Sequence, residues 1–229
     1  MAALDRSVRD ALRTLPKELA ERVGAHLAAA WHLAETDPAA AYEHAAAARH
    51  RTPRLAVTRE ACGIAAYRTG RWAEAAQELR AARRMSGNDD LLPVIADCAR
   101  GLGDPQRALA IASSPEAVAL RGVARTEALI VASGARRDLG QLDAAVVLLQ
   151  VPELGQQGRE PWRDRLRFAY ADALAAAGRT NEAREWFGRV AAAGGAGGTD
   201  AAERLAELGG DDAGAATAGS EAIVDLTEQ

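Results

Sequence analysis

The chain has 229 residues, of which only 4% are aromatic, and helix-favouring residues, alanine above all, fill nearly every segment between its turn signals. Its 32 acidic and 28 basic residues give a formal net charge of −4, which excludes a strong overall field that would draw the protein to nucleic acid or to anionic lipid. The sequence has no positively charged start followed by an apolar run and no stretch long enough for a membrane span, so we expect a soluble, cytoplasmic protein.

Residues 1–15 are predicted to form an N-terminal capping helix. Leu4, Val8, Leu12 and Leu15 are apolar at helical spacing, and Pro16 stops the pattern. We expect this helix to cover the exposed side of the structure that follows.

Residues 16–193 carry a repeat with a period near 34 residues. An alanine recurs at spacings of 34, 33, 37 and 38 residues, at Ala41, Ala75, Ala108, Ala145 and Ala183. Twelve residues before each alanine lies another small residue, in order Ala29, Gly63, Ala96, Ser133 and Ala171. Five residues before each alanine lies, in order, Thr36, Gly70, Gly103, Gly140 or Gly178. Such a period is typical of stacked helix-turn-helix repeats.

The two small positions let a pair of antiparallel helices approach closely. The glycine between them can adopt the left-handed conformation that ends the first helix. Each unit is then a helical hairpin whose core is completed only by stacking on the next. We predict five hairpins, at about residues 16–51, 53–85, 89–113, 115–150 and 160–193, with a loop over residues 152–161.

The period stops at the glycine-rich segment from Gly194 to Gly198. Residues 194–208 are predicted to form a linker and a capping helix that shields the last hairpin. Residues 209–229 hold too little apolar area to offset the entropy of ordering, so we expect a disordered acidic tail. The segment from Ile223 to Leu226 could add as a strand to a partner's sheet edge, or it is a plain tail.

These residues resemble the tetratricopeptide repeat (TPR) family over roughly residues 22 to 192. The second unit matches the family's order of small, glycine, aromatic and alanine positions best, with Gly63, Gly70, Trp72, Ala75, Leu79 and Ala82. Units three and four have Pro115 and Pro152 where the family has alanine, so their second helices should end early. The amino-acid sequence of the chain is also similar to that of uncharacterised TPR proteins of actinobacteria. The resemblance implies an all-α fold, a right-handed α-solenoid of about five TPR-like helical hairpins with N- and C-terminal capping helices.

The resemblance also implies a concave groove lined by the first helix of each hairpin. On the family's register, the candidate ligand-binding residues in this groove are Tyr67, Arg68, Asp97, Arg100, Arg137, Arg165 and Asp172. The arginines could form a ladder in which each holds a carboxylate or a phosphate bidentately. Their acidic neighbours could instead neutralise them on a solvated helix face.

The chaperone-tail clamp of some TPR proteins needs lysine, arginine and asparagine at set positions of its first three units. The corresponding residues in this chain are His26, Ala30, Ala61, Asp90 and Val94. We therefore do not expect a chaperone C-terminal carboxylate as the partner.

The sequence offers no pattern typical of catalysis, of a cofactor or of a metal site. The four histidines, His26, His32, His44 and His50, are spaced six residues apart within each predicted helix, which does not place two metal ligands on one helical face. Cys62 and Cys98 fall at small or apolar positions of first helices and are expected to be reduced core thiols. We expect no enzyme activity, no cofactor and no metal.

These observations favour a TPR scaffold or adaptor that binds a peptide or helix of another protein in its concave groove. The alternative is an RNA- or ribosome-associated factor that uses the arginine ladder on phosphates, which the net acidic charge argues against.

Overall fold

The computed structural model describes residues 4–194, apart from 157 and 159, and residues 200–209. All regular elements in these residues are helices, and a 3₁₀ turn at Asp89–Leu91 precedes α6. The helices are α1 Arg6–Leu12, α2 Lys17–Leu33, α3 Pro38–Arg51, α4 Ala56–Arg68, α5 Trp72–Ser86, α6 Leu92–Gly101, α7 Pro105–Ala112, α8 Pro115–Ala119, α9 Gly122–Asp138, α10 Leu142–Leu148, α11 Pro152–Gly155, α12 Pro161–Ala176, α13 Thr180–Ala192 and α14 over residues 201–209.

The chain packs into two units that divide between Val131 and Ala132, inside α9. In the first unit, helices α2 to α7 form three hairpins, and each helix packs on the next one along the chain. In the second unit, α12 and α13 form a hairpin, and both α10 and α11 contact α12. Each unit therefore buries apolar faces between successive helices, as the repeat pattern predicts.

The turns inside the later hairpins use glycine in the left-handed region. The φ angle is +73° at Gly70 and +75° at Gly178, and the equivalent glycines of the third and fourth hairpins are alike. The first hairpin has Thr36 at this position, and Thr36 does not adopt a positive φ. There the Asp37 carboxylate accepts a hydrogen bond of 3.0 Å from the Ala40 amide and caps α3.

The recurring small residues lie where two helices of a hairpin meet. The alanines of the 34-residue period are buried, and Ala75 is 0% exposed. A Cβ atom added to Gly63 would lie 2.6 Å from Cγ of Leu79, which leaves no room for a side chain. In the second unit, the Ser133 hydroxyl donates a 3.0 Å hydrogen bond to the carbonyl of Ala145. The paired small positions are thus contact points, as predicted.

The prolines of the third and fourth units end their second helices early, as predicted: α7 stops at Ala112 and α10 at Leu148. The prediction that the fourth hairpin begins at Pro115 is wrong. A separate short helix, α8, occupies Pro115–Ala119, and α9 begins at Gly122. The chain leaves α8 at Leu120, which is extended at ψ 157° and packs its buried side chain in a cluster with Leu92.

The predicted loop over residues 152–161 is also partly wrong. A one-turn helix, α11, begins at Pro152, and proline suits the first position of a helix. Its Leu154 is buried, which holds this turn against the second unit.

Helices flank the repeats at both ends of the described chain. Leu4 and Leu12 of the N-terminal segment join a core cluster with Val23 of α2. Ala201 of α14 is 1% exposed in the second unit. Most of the glycine-rich linker and the predicted tail, including Ile223 to Leu226, lie outside the described residues.

Candidate binding surfaces

An apolar groove lies in the first unit, between the N-terminal segment and the first helices α2 and α4. Its volume is about 330 Å³. Apolar side chains from all three segments line it, including Val8, Leu27, Trp31 and Ile64. Small residues such as Ala61 keep its floor open, because they fill little of the space between α2 and α4.

Trp31 is the most exposed large apolar side chain at this groove. It is 74% exposed and follows directly after the buried Ala30 on α2. Tryptophan dominates the energy of many protein interfaces, so the groove beside Trp31 is a candidate interaction surface.

The rim of the groove is acidic. Asp5 and Glu60 line it, and Arg68, its one basic residue, forms an ion pair of 2.9 Å with Glu35. Among the described residues, no cationic side chain pairs with Glu60. Burial and, to a smaller extent, the nearby Asp90 raise the pKa of Glu60 above its usual value. The groove therefore presents a partly desolvated carboxylate that lacks a counterion in the described chain.

Three of the predicted site residues meet on α4 and α6 in the first unit. The Tyr67 hydroxyl donates a 2.5 Å hydrogen bond to Oδ2 of Asp97. Arg100 donates to Oδ1 of the same carboxylate at 3.0 Å. Both oxygens of the Asp97 carboxylate therefore accept hydrogen bonds from residues of this chain.

A second group of predicted site residues meets in the second unit, around Asp172 of α12. Arg137 donates to its Oδ2 atom, and Arg204 of α14 donates to Oδ1 at 3.0 Å. Arg165 lies exposed elsewhere on α12. Arg204 was missed by sequence reasoning, because only the packing of α14 brings it to Asp172.

Three of the four arginines of the predicted ladder are therefore found beside carboxylates. Arg68 pairs with Glu35, Arg100 with Asp97, and Arg137 with Asp172. An incoming carboxylate or phosphate would have to displace or share these partners. Whether they bind a ligand stays a prediction.

Two histidines from different helices lie close together, although the spacing of histidines within each helix predicts no metal site. His26 of α2 and His44 of α3 face each other with their Nδ1 atoms 3.0 Å apart. Among the residues that the structure describes, no group of three histidine, cysteine or acidic side chains is arranged to hold a metal ion.

Cys62 and Cys98 are buried and unpaired, as predicted. Burial is the main cause that raises the pKa of each thiol to about 11. Both are therefore protonated, weakly nucleophilic core residues at neutral pH. No helix in the described chain has the length and apolar character needed to cross a membrane.

Solved structures of TPR-like repeats resemble this chain. The crystal structure of nearly identical TPR-like repeats from a Podosopora anserina protein described as a kinesin light chain has a TM-score of 0.57 and 18% identity, and the match covers 75% of this chain and 94% of that one. A crystal structure of a variant of the same repeats has a TM-score of 0.59, with 18% identity and the same coverage of 75% and 94%. No protein-family model matches the chain, and no curated protein sequence does.

The fold is therefore all-α and built from TPR-like helical hairpins, which confirms the predicted fold class. At this level of identity the likeness concerns the fold alone.

Proposed function

We propose that this chain is a cytoplasmic TPR adaptor that binds a peptide or helix of another protein in the apolar groove of its first unit and carries out no reaction of its own. The observation that carries the proposal is Trp31, 74% exposed beside a groove of about 330 Å³ lined mostly by apolar side chains. The reduced thiols of Cys62 and Cys98 support the cytoplasmic location, and the resemblance to actinobacterial TPR proteins is part of the same proposal.

The charges at the rim define the chemistry of the partner. Glu60 and Asp5 carry negative charge, while Arg68 is paired with Glu35. A segment with an apolar side chain for the groove and a lysine or arginine one helical turn away satisfies both features. Formation of an ion pair with Glu60 also removes the penalty of a carboxylate that is partly buried without a counterion.

The alternative, a factor that binds RNA through the arginine ladder, has less support. A phosphate would compete with Glu35, Asp97 and Asp172 for the arginines, and the repulsion from these carboxylates weakens phosphate binding.

The proposal is tested by selecting peptides from a random library on the full-length protein and measuring their affinities. We expect the selected peptides to share an apolar residue and a basic residue that lies one helical turn away from it. Replacement of Trp31 by alanine should weaken their binding at least tenfold, because truncation of a central aromatic residue typically costs about 2 kcal/mol or more. Glu60→Gln should weaken binding less and reduce its salt dependence.

Met85→Ala is the matched control, since Met85 is also an exposed apolar residue of the first unit, 45% exposed, and does not line the groove. Peptides that bind the Trp31→Ala and wild-type proteins equally well, or that are acidic, would contradict the proposal.

A further inference from the structure

A second cavity lies on the first hairpin, between α2 and α3. Its volume is about 270 Å³, and every polar side chain that lines it is basic: Arg22 and His26 come from α2, and His44 and Arg51 come from α3. Ala25 completes the lining and adds no charge. No residue of this cavity lines the apolar groove, so the two sites are distinct.

The two imidazoles line this basic cavity side by side. Their Nδ1 atoms are 3.0 Å apart, and the ring planes are tilted by 49°. At this distance one Nδ1 donates and the other accepts, so the neutral pair shares one proton between these nitrogens. When both rings are protonated, both Nδ1 atoms carry a hydrogen, and an acceptor must bind between them or the rings must separate.

The guanidinium groups around the imidazoles carry positive charge without an acidic counterpart. Arg51 donates to the carbonyl of Ala47 at 3.0 Å, which leaves most of its donors available. Among the described residues, neither Arg22 nor Arg51 lies in an ion pair with a carboxylate. Several other arginines of this hairpin and the next do pair, such as Arg49 and Arg59 with Glu78.

From this geometry we infer that the cavity formed by Arg22, His26, His44 and Arg51 binds a small phosphate-type dianion, either inorganic phosphate or a small phosphomonoester. Two arginine forks and two imidazoles supply donors that match tetrahedral oxyanion oxygens. The cavity has room for such a group but offers no carboxylate or thiolate to a cation. Its positive surroundings also oppose a divalent metal, which would find only two imidazole ligands here.

The pH dependence follows from the groups that face His26. These are Arg22 on its own helix, and His44 and Arg51 on α3; α1 and α4 contribute none to the lining. Burial, Arg51 and His44, in that order, lower the pKa of His26. A bound dianion offsets the positive charge and favours the imidazolium, so binding should take up a proton.

Sulfate is the sharpest probe, because it remains a dianion over the range in which histidine titrates. Calorimetric titration of the full-length protein with sulfate, at constant ionic strength, should give an affinity that rises at least threefold between pH 8 and pH 6. Titrations in buffers of different ionisation enthalpy should show the proton uptake. Inorganic phosphate at pH 8 should compete with sulfate. A small phosphomonoester such as glycerol phosphate tests whether the cavity binds a phosphate group that is attached to an organic molecule.

The variants Arg51→Gln and His26→Asn should each weaken sulfate binding about tenfold. Arg54→Gln and His50→Asn are matched controls, because both residues are exposed, lie within three residues of Arg51 in sequence and do not line the cavity. The circular dichroism melting curve of each variant checks folding, and Arg51→Lys should recover part of the affinity.

Equal losses in the control variants would overturn the inference, since they would show general screening of positive charge. So would binding of Zn²⁺ to the His26 and His44 pair without any effect of sulfate. Binding of single-stranded RNA that depends on Arg51, with sulfate and phosphate inactive, would equally overturn it in favour of a polynucleotide partner.

Discussion

At the scale of single residues, Glu78 shows how one buried charge joins helices of neighbouring hairpins. It is 2% exposed on α5, between two arginines from other helices. Arg59 of α4 donates to one carboxylate oxygen at 2.7 Å, and Arg49 of α3 donates to the other. Both oxygens are therefore satisfied, which offsets the desolvation of the charge.

Removal of this carboxylate should strongly destabilise the first unit. For Glu78→Ala we expect a loss of about 3 kcal/mol in the free energy of unfolding, because two partly buried arginines lose their partner. This loss lies at the lower end of the range usual for breaking a buried ion pair, since the Arg49 side chain is 34% exposed and can be hydrated once its partner is removed. Urea denaturation measures the change, and the exposed Glu21→Ala should stay within about 0.5 kcal/mol of the wild type. A small effect at Glu78 would mean that the triad contributes nothing net.

The lowered pKa of His26 predicts that the stability of the folded protein depends on pH. Its folded-state pKa is lowered, first by burial and then by Arg51 and His44, so the unfolded chain binds its proton more readily. Above the ordinary pKa of about 6.5 both states are neutral and the full stability is present. As the pH falls below that value, stability is lost until the lowered folded pKa is passed.

The measurement compares urea denaturation of the wild type and of His26→Gln between pH 7.5 and pH 5 in a buffer without oxyanions. The variant should lose less stability on acidification than the wild type, and His50→Gln should behave like the wild type. Identical pH profiles for wild type and His26→Gln would contradict the assignment.

At the scale of elements, much of the hairpin architecture could be predicted because it depends on local chemistry. A glycine such as Gly70 ends a helix through its own backbone conformation, and Pro152 limits the helix before it in the same way. Helix α8 was misassigned because its separation from α9 depends on the burial of Leu120 beside Leu92, a contact distant in sequence.

The candidate sites were less predictable, because they also depend on contacts between residues that are distant in sequence. Trp31 occupies a repeat position that is neither a small-residue nor a groove position, and its only sequence signal was a large aromatic residue beside a small one. The meeting of His26 with His44 depends on the register between α2 and α3. Arg68 was predicted to lie at the groove, but its pairing with Glu35 was not.

Two glycines inside helices test the packing of elements against each other. An alanine at position 63 would place Cβ 2.6 Å from Cγ of the fully buried Leu79, so Gly63→Ala should destabilise the protein by about 1–3 kcal/mol. A Cβ atom added to Gly188 on α13 would meet no neighbouring side chain within 4 Å, so Gly188→Ala should instead stabilise the protein by about 0.5–1 kcal/mol. Thermal or urea unfolding measures both, and a stabilising Gly63→Ala would show that α4 and α5 can move apart.

At the scale of the whole chain, each hairpin of the first unit is tied to the next by recurring polar contacts. Tyr42 of α3 donates to both carboxylate oxygens of Glu74 on α5, at 2.8 and 2.9 Å. Tyr67 of α4 makes the corresponding kind of contact to Asp97 on α6. Contacts between successive hairpins therefore hold this unit together, as in repeat proteins whose stability is a sum of local and nearest-neighbour terms.

Because the stability of this unit depends on contacts between successive hairpins, a single substitution should affect mainly the helices next to it. Glu78→Ala should raise the rate of native-state amide hydrogen exchange in α3, α4 and α5, because these helices share the lost ion pairs. Protection in the hairpin of α12 and α13 should remain within twofold of the wild type, since its core residues, such as Leu174 and Phe187, lie in the second unit. Hydrogen exchange followed by mass spectrometry on the full-length protein separates these segments, and Glu21→Ala is the control. An equal loss of protection in both units would show that the chain unfolds as one cooperative block, and the nearest-neighbour description would then be wrong for this protein.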